Sequence, residues 1–90
     1  MTVTIPIQGP DVCSRDYGAE VRRAIIKNIK GGKVTLLDMS EVVSATHGFL
    51  DESLGVIISM LGPERTLDLV KVVANKNVTK MIAEVMSERI

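Results

Sequence analysis

Five carboxylates lie between Val34 and Glu64 (Asp38, Glu41, Asp51, Glu52 and Glu64), with no lysine or arginine among them. Over the whole chain, 11 basic and 11 acidic residues cancel. Such a one-sign stretch could do two kinds of chemistry. Acid–base catalysis needs a pocket and a raised pKa on one member of a pair. Electrostatic docking needs only an exposed face of one sign. A chain of 90 residues has little room for an internal cavity beside its core. The pattern therefore predicts a docking or switching surface and no enzyme activity.

The other reactive groups are few. His47 is the only histidine, and with Asp51 beside it the ligand set for a metal is incomplete. No cofactor is expected. Cys13 is the only cysteine, which excludes an intrachain disulfide or a multi-cysteine zinc site. It precedes a helix start, where a thiol pKa can fall, but a small buried hydrophobe is the simpler reading. Gly31-Gly32-Lys33 is followed by no helix that could complete a phosphate site, so it reads as a helix stop.

The elements that position these groups follow from periodicity. Val3, Ile5 and Ile7 alternate with Thr4, Pro6 and Gln8, a half-buried strand that Pro6 pushes toward a sheet edge. From Arg15 to Lys30 the period is helical, with Tyr17, Val21, Ala24, Ile25 and Ile29 on one stripe. Ser14 is the expected N-cap, and Gly31-Gly32 ends the helix. The apolar run Val34–Leu37 predicts a central strand covered on both faces, with Leu36 and Leu37 both buried. A second helix follows the turn, with Phe49, Leu50, Leu54, Ile57, Ile58 and Leu61 inward. Leu67–Val73 is expected as a third strand. Asn75 or Asn77 caps a last helix whose stripe is Val78, Met81, Ile82, Val85 and Met86.

The resulting order, β-α-β-α-β-α with connections long enough for crossovers, predicts a mainly parallel sheet. Right-handed crossovers place the helices on one face. The expected fold is a two-layer α/β sandwich in a single domain over residues 1–90.

An apolar content of 46% describes an ordinary globular chain. Zero net charge and only Tyr17 and Phe49 as aromatics argue against a nucleic-acid module. The N-terminus lacks a signal-peptide pattern, and no apolar run approaches the ~20 residues needed to cross a bilayer. A cytoplasmic protein that does not enter membranes is the expectation.

Leu37-Asp38-Met39-Ser40-x-Val42, a polar turn, and Phe49-x-Asp51-Glu52-x-x-Gly55 together resemble the STAS-like domain of unknown function. This family is the compact relative of the STAS domain of anti-sigma factor antagonists and sulfate transporters. Ser14-Arg15-Asp16-x-Gly18 with Val21-Arg22, and Asn75-x-Asn77 with Ile82, resemble its first and last helix starts. The resemblance implies a non-enzymatic regulatory module that docks a histidine-kinase-like ATPase or a similar switch protein. Antagonists of this type release the partner when a serine in the turn is phosphorylated. That serine falls on Gly48 here, so Thr46 and Ser44 are the remaining hydroxyls for such a switch. The partner surface implied comprises Asp38, Ser40, Ser44, Thr46, His47, Asp51, Glu52, Gly55 and Ser59.

Each of these also has a structural reading. Asp38 can order the turn by accepting backbone N–H bonds. Asp51 and Glu52 suit a helix N-terminus on dipole grounds alone. Gly55 costs ~1 kcal/mol in a helix, which makes sense where another backbone comes close, either a partner's or the chain's own. Two other functions stay open: a structural domain forming a homodimer over the uncovered sheet face, and a binder of a small ligand or nucleotide.

Overall fold

Alternating apolar residues at the N-terminus form strand β1, Thr2–Pro6, in a computed structural model that describes residues 1–89. β1 pairs in parallel with β3, Val34–Asp38, in register Thr2↔Val34 through Pro6↔Asp38. β3 in turn pairs in parallel with β5, Val70–Val73, starting from Thr35↔Val70. The sheet order is β1-β3-β5, so β1 is an edge strand and β3 is central. The connections are helical. α1 spans Arg15–Lys30; the Ser14 side chain accepts the Tyr17 N–H at its start, and Gly31 caps its end. The second helix runs as α2, His47–Leu50, a π-helical segment, Asp51–Gly55, and α3, Val56–Leu61. The last, α5, spans Lys76–Arg89, with Asn75 Oδ1 accepting the Val78 N–H at 2.8 Å. The chain is a mixed α/β fold with a parallel sheet.

One face of the sheet carries the core. Thr35 and Leu37 are buried on β3 and Val70 on β5, and they meet Val21 and Ile25 of α1, Ile57 and Ile58 of α3, and Val78 and Val85 of α5. Buried Thr35 is satisfied by Asn28 Nδ2 at 2.9 Å. The opposite face is open, and this corrects the expectation of a doubly covered strand. Leu36 is only half-buried where Leu37 is 2% exposed. Helices α1, α3 and α5 cover one face, while the residues on the other, half-buried Leu36 and exposed Lys71 and Val73, keep contact with solvent.

Three further differences are local. Gly62 at φ 85° ends α3 but also begins a short helix α4, Pro63–Leu69, with Pro63 in its first turn. Proline suits that position because its missing N–H would have no helical partner anyway. Leu67–Leu69 is thus helix, and the third strand begins only at Val70. The segments after β1 and β3 pair as two-residue strands, β2 Asp11–Val12 and β4 Ser44–Ala45, in a second parallel sheet. Pairs this short leave no alternation to read.

The open face sets an expected outcome. Leu37→Ala should cost about 2–4 kcal/mol in urea denaturation, and Leu36→Ala at most about half of that. Equal losses would contradict the one-sided sheet.

Candidate functional site

The turn that follows β3 is held at both ends and along its backbone. Asp38 Oδ1 accepts the Ser40 N–H at 3.0 Å. The Ser40 hydroxyl, and then its N–H, hold the Asp38 carboxyl below the ordinary carboxylate range. Met39 and Val42 are buried and anchor the turn in the core. Pro10 O accepts the N–H groups of Val43 and Ser44 at 2.7 and 3.1 Å. Asn75, besides capping α5, donates from Nδ2 to the carbonyls of Val42 and Val43, both at 3.1 Å. What this framework leaves outside is Ser40, Glu41, Val43, Ser44 and Thr46, with Val43 62% exposed.

Both hydroxyls that could take a phosphate have structural work. Ser44 Oγ donates to Asp11 Oδ1 at 2.6 Å and ties β4 to β2. Thr46 Oγ1 accepts the Phe49 N–H at 3.3 Å as the N-cap of α2 and lies 3.4 Å from Cys13 O, to which it donates. Cys13 itself is exposed, contrary to its reading as a buried hydrophobe. Its neighbour Val12 takes the core position instead. At Gly48, where the resemblance puts a phosphoserine, a Cβ would meet the Arg15 side chain, with Nε 3.2 Å away.

The acidic helix start is a different environment. Glu52 accepts Arg22 Nη1 at 3.0 Å and Arg15 Nη1 at 3.2 Å. Asp51 Oδ1 accepts Arg89 Nη2 at 2.8 Å and Nε at 3.0 Å, and Arg89 Nη1 also donates to Ser59 Oγ at 3.0 Å. His47 Nε2 lies 2.8 Å from a Glu88 carboxylate oxygen. Gly55 is buried, and a Cβ there would lie 3.2 Å from Val85 Cγ1 and 2.8 Å from Asp51 Oδ1. The close approach that Gly55 permits is that of the chain's own α5. Reversing Asp51 and Glu52 would therefore break three arginine contacts, a lesion well beyond the small dipole term that the sequence suggests.

The expected site residues thus divide in two. Asp38, Ser40, Ser44 and Thr46 lie on or beside one exposed turn. Asp51, Glu52, Gly55 and Ser59 form a clamp with Arg15, Arg22 and Arg89, and His47 extends it to Glu88. The sequence places Arg15, Arg22 and Asn75 at helix starts, as found, but not in the site, and it does not single out Arg89 or Val43. The i, i+7 spacing of Arg15 and Arg22 on α1 was the available signal for the first two. Among the described residues, no group of three His, Cys, Asp or Glu gathers to hold a metal ion, and no helix is long and apolar enough to cross a membrane.

A family model described as a STAS-like domain of unknown function matches residues 17–80, from Tyr17 in α1 through the turn and the acidic pair into α5. The chain belongs to that family. No curated protein and no solved structure matches it. The matched span contains the exposed turn and the acidic pair, and β1 lies outside it.

The turn has a titration signature. The Asp38 carboxyl should titrate below the ordinary aspartate range in a carboxyl-detected NMR experiment, and Ser40→Ala should raise it. Its hydrogen bonds favour the charged form, so their contribution is present above the ordinary pKa and is lost as pH falls through the folded-state value. Ser40→Ala removes the hydroxyl and keeps the N–H, so an unchanged pKa would mean that the hydroxyl does not hold the carboxyl down.

Proposed function

We propose that this STAS-like domain is a non-enzymatic regulatory module that docks a protein partner through the turn after β3. By the family resemblance, the partner class is a histidine-kinase-like ATPase or a related switch protein, met in the cytoplasm. The observation that carries the reading is Val43, a β-branched side chain 62% exposed on a turn whose backbone is fixed by Pro10 and Asn75. A shallow groove of about 170 Å³ adjoins it, lined by Ser44, Ala45, Asn77, Val78 and Met81. An apolar group pre-organised inside a polar rim loses little ordering entropy on association, which is where interface energy concentrates.

Control of this docking falls to the partner. Phosphate on Thr46 would disturb the N-cap of α2, and phosphate on Ser44 would stand against Asp11. Neither position offers a free hydroxyl next to an unpaired cation, so binding is constitutive with respect to this chain's own turn.

The test uses tagged wild-type chain and Val43→Asp side by side against the candidate ATPases encoded near it. Wild type should bind one with a micromolar or tighter Kd, and Val43→Asp should lose at least about 1.4 kcal/mol, tenfold, with an unchanged denaturation midpoint. Equal binding by the two proteins would take the turn out of the interface.

A further inference from the structure

We propose that the outer edge of β5 and the groove beside it bind an extended segment of a partner protein, apolar at alternate positions and acidic at its flanks, as an added strand. The two edges of the sheet are built differently. Val34 N donates to Met1 O at 3.0 Å and Ile7 N to Asp38 O at 2.9 Å. Thr2, Thr4 and Pro6 therefore direct their backbone outward from β1, since alternate residues of a parallel strand face the same neighbour. Pro6 has no N–H, and the threonines are exposed, which blunts that edge. On β5, Val73 O accepts from Met39 N at 2.8 Å, so Lys71 and Val73 face β3 and Val70 and Val72 face outward. The Val70 N–H returns to Thr66 O. Among the described residues, that leaves the Val70 carbonyl and both Val72 backbone groups without a strand beside them.

The groove says what such a strand would carry. It holds about 460 Å³ and is lined by Leu67, Val70, Val72, Ile82, Ala83 and Met86. A smaller apolar cavity of about 30 Å³, which shares Val70, Val72, Ile82 and Met86 and reaches Leu54 and Ile58, adjoins it. Side chains two residues apart on a strand point to the same face, so two aliphatic side chains of one extended segment fit here. The main chain of that segment meets Val72, whose N–H and C=O together ask for the C=O and N–H of a peptide. An acyl chain would fill the groove and leave both groups unmet.

Charge gives the flanks. Lys71 is the one charged residue lining the groove, and its Nζ is held on Leu67 O at 2.7 Å, beside a leucine that is 56% exposed. Lys76 begins α5 and shares a helical stripe with Thr79 and Ala83, which line the same groove. Among the described residues neither lysine takes part in an ion pair. The start of this 14-residue helix adds its own positive end next to Lys76. Carboxylates beside the apolar positions complement this rim. A different side of α5, with Asn77, Val78 and Met81, borders the groove at Val43, so the two docking surfaces are separate.

Chemical-shift titration of the isotope-labelled full chain tests the site with a defined probe, a blocked peptide of alternating valine and threonine with paired aspartates at each end. The probe should bind with a Kd of about 100 μM or tighter, and the Val72 amide should shift and gain protection from exchange. Paired lysines in place of the aspartates should weaken binding at least about tenfold, and Lys76→Glu should weaken binding of the acidic probe at least about fivefold. The same probe N-methylated at its central residues should not bind, which tests main-chain pairing without altering the protein. An unmoved Val72 amide at about 1 mM probe would overturn the proposal. So would equal binding of the N-methylated or the lysine-flanked probe. Shifts centred on Val43 would overturn it as well and assign the peptide to the turn. A Val72 amide already protected in a chain that sediments as a dimer would give the edge to a second copy instead. Saturable shifts with dodecanoate and none with the peptide would make the groove an acyl-chain site.

Discussion

The helical layer is assembled around the π-helical segment Asp51–Gly55, where α1 and α5 both come close enough to touch backbone. A π turn bonds i to i+5, seen here in the Val56 N–H reaching Asp51 O. The Glu52 carbonyl is met from outside by Arg22 Nη1 at 2.8 Å, so one guanidinium binds both the backbone and the side chain of the same residue. Gly18 permits that approach, since a Cβ on it would lie 2.7 Å from Phe49 O and 3.0 Å from Glu52 Cβ. On the other side Gly55 lets Val85 and Arg89 of α5 close over the helix. Buried Ser53 donates to Phe49 O at 2.8 Å and completes the local satisfaction. With α1 and α5 fixed to this segment, their apolar stripes have one way to cover the sheet.

This arrangement gives the two groups of candidate residues different surroundings. The carboxylates of Asp51 and Glu52 are neutralised by three arginines from two other helices, so this acidic pair presents little net field. The turn after β3 is the reverse case. Its backbone groups are consumed by Pro10, Asn75 and the Asp38 carboxylate, while Ser40, Glu41 and Val43 stay exposed between the buried anchors Met39 and Val42. A partner spends nothing to order such a surface. The docking proposed above would use an exposed connection carried by a fixed frame, as is common for loops on α/β scaffolds.

Much of the frame was legible in the sequence. The bounds of α1 follow from Ser14 and Gly31-Gly32, and the inward stripe of the second helix from Phe49 to Ile58, because burial and capping are local properties of the pattern. Long-range facts were not legible. Leu36 and Leu37 are equally apolar, and only the absence of a second layer distinguishes them. The π turn leaves no mark on composition. The sign of the 34–64 segment was read correctly, but its meaning depended on Arg15, Arg22 and Arg89, which approach only after folding. The turn was located by its polar residues, whereas its exposed apolar residue, Val43, looks from sequence like a core position.

Arg22 and Glu52 form an internal clamp and not two independent surface charges. A double-mutant cycle with Arg22→Met and Glu52→Gln, read by urea denaturation of the full chain, measures this directly. A coupling of about 1–2 kcal/mol is the expected result for a partly buried pair sharing one hydrogen-bond network. Additive losses, with a coupling near zero, would contradict the clamp and return Glu52 to the exposed acidic face.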